Sequence, residues 1–152
     1  MLDYLTRTDG SPGLYLLKAF ATAIAGTIAV VLVASQFIAG PDDTPSDISP
    51  LTLAVVLLFV WPAMVTAMLQ GLLFFARRLV PTYWHAAAAS ALLLALGLAL
   101  LGGPQTGIVF AWPFFVYAVV FLAWQLQSNR LARGMTLALQ AMVNLPLVLF
   151  AH

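Results

Sequence analysis

The chain has 152 residues, of which 63% are hydrophobic and only 7% are charged. Soluble domains usually carry about 25% charged residues, and a chain this short buries too little surface to hide so much apolar material from water. The net charge of +1 gives no basic field for nucleic acid, and the lack of cysteine excludes disulfides, thiolate catalysis and cysteine-ligated metals. We therefore predict an all-α, polytopic transmembrane helical bundle surrounded by the lipid bilayer.

Five apolar segments approach the length of about 20 residues that a helix needs to cross a bilayer. They lie near Leu14–Ile38, Leu51–Ala76, Trp84–Leu101, Ile108–Leu126 and Met135–Ala151. Together they predict one integral membrane domain over residues 1–152. The last segment is short and contains Pro146, so it is either a fifth span or an interfacial helix. Its lack of Lys and Arg favours a span, because interfacial helices usually have a strongly charged face.

The first apolar run is not typical of a cleaved signal peptide. It extends from Ala19 to Ala39, which exceeds a signal core and suffices for a span. The residues before it are of mixed charge, with Asp3, Arg7, Asp9 and Lys18, whereas a signal peptide begins with a short positive region. We expect this segment to be retained as the first span.

The basic residues predict the orientation, because cytoplasmic loops carry the excess of Lys and Arg. In the five-span topology all basic residues fall on one side, namely Arg7, Lys18, Arg77, Arg78, Arg130 and Arg133. The opposite side carries Asp42, Asp43 and Asp47. We expect a bacterial-type cytoplasmic (inner) membrane with the N-terminus in the cytoplasm, and a fifth span then places His152 outside.

A short motif recurs in the second and fourth segments. Phe59–Pro62 reads FVWP and Phe110–Pro113 reads FAWP, while the segments before them end at Gly40-Pro41 and Gly103-Pro104. Two helical hairpins of the same orientation would be a parallel duplication, related by an axis along the membrane normal. The alternative is chance, since Trp, Phe and Pro are common in membrane helices.

The prolines of the two motifs predict helix kinks. Proline removes a backbone donor and pushes against the carbonyl four residues earlier, and in lipid the freed carbonyl needs another partner. We expect a bend near Pro62 and a smaller one near Pro113, which lies closer to the start of its helix. Each kink is either a hinge for transport or a fixed element of shape.

Small residues recur at every fourth position on two segments. They are Ala21, Ala25 and Ala29 with Gly26 beside them on the first span, and Ala87, Ala91, Ala95 and Ala99 on the third. Membrane helices associate through close packing of such faces, because apolar side chains gain nothing by leaving lipid. We expect the first and third spans to form the central pair or to pack tightly on their neighbours.

The fourth span carries an aromatic seam at alternating spacings of four and three. The seam consists of Phe110, Phe114, Tyr117, Phe121 and Trp124, and the repeat register places it opposite Phe59, Ala63, Thr66, Gln70 and Leu73. We expect the Tyr117 hydroxyl to bond Thr66 or Gln70. The seam is either a packing or lipid-contact surface or a wall around a quinone, carotenoid or lipid tail.

The last segment carries a polar stripe with a spacing of four: Thr136, Gln140 and Asn144. Amide groups are unfavourable in hydrocarbon, so this stripe should face protein or a wet cavity. It is either polar packing within the bundle or against a second copy, or part of a substrate path.

Residues with catalytic or metal-binding chemistry are scarce. No span has Asp, Glu, Lys, Arg or His near its centre, where proton relays and ion paths carry them. His85 and His152 are predicted on opposite sides, and we interpret the three loop aspartates as a solvated acidic loop rather than a cation site. We expect no catalytic residue, no cofactor and no metal ligand.

These features favour a non-catalytic assembly, accessory or interaction subunit of a membrane complex. The expected partners are the lipid bilayer and other membrane subunits or a second copy of the chain, with no nucleic acid. The alternative is a small carrier or flippase for a lipidic or neutral substrate, and a membrane enzyme acting on a lipid ranks last.

Overall fold

A computed structural model of the chain describes residues 2–36, 49–80 and 82–149, which contain helices and no strand. A short 3-10 turn at Asp3–Leu5 precedes α1 (Pro12–Ala34), α2 (Pro50–Leu79), α3 (Tyr83–Gly102), α4 (Pro104–Gln125) and α5 (Asn129–Leu149). All five helices are long and apolar enough to cross a membrane. The predicted all-α bundle is therefore confirmed, and the last segment is a candidate span like the others.

Proline and its neighbours set where three of the helices begin. Pro12, Pro50 and Pro104 each stand at a helix start, where the missing N–H has no helical partner to lose. Before α2, the Ser49 hydroxyl accepts a hydrogen bond from the Thr52 backbone N–H at 3.2 Å and so caps the helix. Gly103 alone joins α3 to α4 with φ of +87°, a conformation that favours glycine.

The centre of the bundle is α4. It contacts every other helix, and its stretch Val116–Trp124 is buried throughout. Around it the remaining helices follow one another as an arc, in the order α1, α5, α2, α3. Among the described residues α1 and α3, the two ends of this arc, do not touch each other.

The expected central pair of the first and third spans is therefore wrong, because α4 lies between them. On α1 the packing face is Ala19 and Ala23, both fully buried, whereas the predicted face of Ala21, Ala25 and Ala29 is exposed. The alternative expectation, tight packing on a neighbour, holds on α1 for Gly26, which lies against α4, and it also holds for α3. Its alanines face α4, with Ala87, Ala91 and Ala95 buried and Ala99 half-buried.

Close approach of α3 to α4 depends on Gly107. A Cβ atom at this position would lie 2.6 Å from the Ala95 carbonyl oxygen and 2.6 Å from the Ala99 Cβ. Only a residue without a side chain fits there, so the two backbones meet at van der Waals distance. This is the small-residue contact by which membrane helices pack.

The contact between α1 and α4 depends on a different glycine. The Trp112 indole lies across Gly26, and its Nε1 donates a hydrogen bond to the Thr22 carbonyl at 3.0 Å. A Cβ at Gly26 would come within 1.8 Å of that nitrogen. Trp112 thus packs into a notch in α1 that the glycine leaves open.

The tertiary structure does not repeat a packed hairpin. α3 and α4 pack along their length, but the described parts of α1 and α2 make no contact because α5 lies between them. The tryptophans of the two motifs also differ, since Trp112 is bonded to α1 whereas Trp61 lies beside Phe110 with ring centroids 6.1 Å apart. Gly40-Pro41, part of the proposed repeat, lies outside the described residues.

We expect Gly26→Ala to lower the stability of the folded protein by about 1 to 3 kcal/mol, because the new methyl group displaces the Trp112 ring. Unfolding in mixed micelles, followed by circular dichroism, measures the change. Gly71→Ala is the matched control, since its added Cβ meets nothing within 4 Å. In a Trp112→Ala background the penalty of Gly26→Ala should largely disappear, and an undiminished penalty would contradict this account.

Candidate functional site

The basic residues lie at one end of the bundle. Arg7 and Lys18 flank the start of α1, Arg77 and Arg78 end α2, and Arg130 and Arg133 begin α5. Hydrogen bonds between segments far apart in the chain join these ends. Arg77 donates to the Gln125 side-chain oxygen at 3.2 Å, and Gln127 donates to the Thr8 hydroxyl at 2.8 Å. The basic side chains therefore share one end of the bundle.

The helix α2 changes form just before Pro62. Residues Pro50–Val55 are α-helical, Val56–Val60 form a π-helical turn, and the α-helix resumes at Trp61. Proline cannot donate to a carbonyl in the preceding turn, so acceptors there need other partners. The Asn144 side-chain amide, from α5, donates to the Leu57 carbonyl at 2.7 Å.

Two more polar contacts continue along the same interface toward the basic end. Gln140 donates to the Thr66 hydroxyl at 2.9 Å, and Arg133 donates to the Gln70 side-chain oxygen at 2.8 Å. We call these contacts, with Asn144 and Leu57, the polar seam between α2 and α5. Thr66, Gln140 and Asn144 are at most 4% exposed, so the seam is closed to the surroundings over its inner part.

Thr136 also faces the interior and is fully buried. Its hydroxyl oxygen and the side-chain oxygen of Gln140 have no hydrogen-bond partner within the described part of the chain. Buried polar atoms normally have partners. The seam thus has capacity for at least one further hydrogen bond beside the contacts it already makes.

Tyr117 does not join the seam. It is buried, with its ring 6.3 Å from that of Phe114. The expected bond from its hydroxyl to Thr66 or Gln70 is wrong, because those side chains instead contact Gln140 and Arg133 on α5. The sequence showed the polar stripe on α5 but gave no sign of which helix would lie opposite it.

The aromatic seam of α4 contacts two different helices. Trp124 packs edge-on against Tyr15 of α1 with ring centroids 5.3 Å apart, while Phe110 lies beside Trp61 of α2. Phe114 and Phe121 are buried. Pro113 is buried as well, and α4 remains α-helical through it, whereas at Pro62 the preceding turn is π-helical.

An apolar groove runs between α2 and α3 with Phe114 at its floor. Its volume is about 760 Å³, and its walls include Trp61, Met64, Met68, Gly71 and Phe75 from α2 and Leu93, Gly97 and Leu101 from α3. Several wall residues are exposed, among them Leu101 at 88%. The groove therefore opens outward, toward the side of the bundle that lipid covers.

Groups typical of metal sites do not assemble in the ranges that the structure covers. No cluster of three or more His, Asp or Glu side chains occurs there. His85 is exposed near the start of α3. The acidic loop with Asp42, Asp43 and Asp47, and also His152, lie outside the described residues.

Comparison of the chain with models of protein families, with curated proteins and with solved structures found no match. The polar seam, the apolar groove and the common end of the basic side chains are therefore the basis for a functional proposal.

We expect Asn144→Leu to destabilise the folded protein by about 1 to 2 kcal/mol, because it leaves the Leu57 carbonyl without its partner in a water-free interior. Unfolding in mixed micelles measures the loss. Gln70→Leu, which removes a bond to an exposed arginine, is the control and should change stability less.

The same substitution in a Pro62→Ala variant tests whether Asn144 compensates for the donor that proline lacks. Pro62→Ala restores a backbone donor to this turn, so the effect of Asn144→Leu should shrink there. An equal effect in both backgrounds would show that Asn144 does not compensate for the proline.

Proposed function

We propose that this chain is a non-catalytic assembly, accessory or interaction subunit of a membrane complex. The protein is an integral, multi-pass membrane protein. Its proposed role is to present helix surfaces to other membrane subunits or to a second copy of itself. The observation that carries the proposal is the small-residue face of Ala21, Ala25 and Ala29 on α1, which is exposed although membrane helices use such faces to associate.

The closed interior supports the same proposal. The polar side chains of the inner seam contact one another across two helices, and they are nearly inaccessible. Polar groups arranged in this way hold helices together. Because these polar side chains are buried, a partner would mainly contact the outer surface of the helices.

A small carrier or flippase for a lipidic or neutral substrate is the second candidate. The π-helical turn before Pro62 and the proline within α5 favour it, because transporters often place interrupted helices beside their substrate sites. Thr66, Gln140 and Asn144 weigh against it, since they are buried in a closed interface rather than lining an open path.

We further propose a bacterial-type cytoplasmic membrane with the N-terminus in the cytoplasm. The support is the position of all 6 Lys and Arg residues at one end of the bundle. Short loops rich in Lys and Arg remain on the cytoplasmic side during insertion.

We expect a photo-crosslinking residue at Ala25 to capture one defined membrane protein, or a second copy of this chain, in intact cells. Gel mobility and mass spectrometry identify the product. The control is Leu92, a 64% exposed residue of α3 on another side of the bundle. Equal, diffuse capture at both positions would contradict the subunit role, and movement of lipid by the purified chain in vesicles would support the carrier instead.

We expect a membrane-impermeant maleimide to label Ser49→Cys, but not Thr82→Cys, in intact spheroplasts. The chain has no cysteine of its own, so each variant carries a single thiol. Ser49 precedes α2 at the end opposite the arginines, and Thr82 precedes α3 at the basic end. Labelling of Thr82→Cys alone would contradict the proposal and show that the N-terminus lies outside the cytoplasm.

A further inference from the structure

The apolar groove between α2 and α3 is held open by two glycines. A Cβ atom added at Gly71 or at Gly97 would meet nothing within 4 Å. The surrounding walls are apolar, and long side chains such as Met64 and Met68 stand at 45% and 52% exposure. In a membrane this space is filled by hydrocarbon, so its shape decides which kind of hydrocarbon fits.

The groove is long. From Trp61 to Phe75 it follows about 14 residues of α2, or roughly 21 Å at the helical rise of 1.5 Å per residue. Its walls are apolar along this length, and it opens outward to lipid. An extended hydrocarbon chain of a lipid matches this length and these apolar walls.

The end of the groove near Phe75 lies beside positive charge. The rings of Phe75 and Phe74 meet edge-on at 5.4 Å, and the Arg78 guanidinium stacks on Phe74 at 4.2 Å. All 6 basic side chains of the chain lie at this end. The acidic side chains among the residues described there are Asp3 and Asp9. The excess of positive charge is complementary to the phosphate of an anionic lipid.

We propose that the apolar groove binds one acyl chain of an anionic phospholipid from the leaflet at the basic end, with the lipid phosphate at Arg78. The chain passes Phe75 and Gly71 and extends along Met68 toward Trp61. Arg78 and Trp61 are about 17 residues apart, or roughly 25 Å along α2, so only the methyl end of the chain comes near Trp61. This site is separate from the α1 face assigned to partner subunits.

Brominated phospholipids test the proposal through quenching of Trp61 fluorescence. The full chain is reconstituted in nanodiscs of unlabelled phosphatidylcholine that contain the same small fraction of either brominated phosphatidylglycerol or brominated phosphatidylcholine. The Trp61→Phe variant provides the signal of the other tryptophans, which is subtracted. We expect brominated phosphatidylglycerol to quench Trp61 more than brominated phosphatidylcholine at equal concentration, and bromine near the methyl end to quench more than bromine near the ester.

Two groups of variants separate the headgroup from the chain. Arg78→Gln should reduce the preference for phosphatidylglycerol about fivefold, the effect of roughly one basic residue near a membrane surface. Arg130→Gln removes the same charge from α5 and should leave most of the preference. Gly71→Leu combined with Gly97→Leu fills the groove and should abolish the excess quenching, while Gly134→Leu, also in open space, should not.

Three results would overturn the proposal. Equal quenching by the two headgroups would exclude an anionic lipid, and equal effects of Arg78→Gln and Arg130→Gln would show a general charge effect without a site. Unchanged quenching after both glycines are replaced would exclude the groove. Crosslinking from Ala25 is independent of all three, so failure of the lipid site and failure of the subunit role can be told apart.

Discussion

The scarcity of water inside a bilayer is the constraint on which this structure depends. A backbone carbonyl in hydrocarbon must find a donor within the protein, because solvent does not supply one. In α2 the proline at position 62 removes a donor, the preceding turn widens to a π-helix, and the Asn144 amide bonds the Leu57 carbonyl from a neighbouring helix. α5, which supplies this amide, lies between α1 and α2 in the bundle.

Packing of the central helix obeys a second rule. Apolar side chains gain nothing by moving from lipid into protein, so tight contact must come from shape. At two points α4 meets small residues of its neighbours: the Trp112 ring lies across Gly26 on α1, and the α4 backbone at Gly107 comes close to Ala95 and Ala99. These notches allow α4 to be buried among other helices while the outer faces of those helices remain covered by lipid.

The functional proposals rest on two outer surfaces that the packing of the interior leaves uncovered. The polar groups of the seam are occupied in holding α2 to α5, whereas an alanine face on α1 and the groove between α2 and α3 remain open. One surface has small residues of the kind through which membrane helices associate, and the other is an apolar groove whose end lies near basic side chains. The proposed subunit role uses the first of these surfaces, and the proposed lipid site uses the second.

The sequence by itself determined the membrane environment, the five helices and the common end of the basic residues, because length, hydropathy and charge are local properties. It also indicated that Thr136, Gln140 and Asn144 would face inward, since amides are unfavourable in lipid.

Only the tertiary structure decided which helices are neighbours. Alanine is so frequent in α1 that several faces fit a small-residue pattern, and the face used, Ala19 and Ala23, was set by the position of Trp112 and α4. The insertion of α5 between α1 and α2 likewise depended on contacts between residues far apart in the chain.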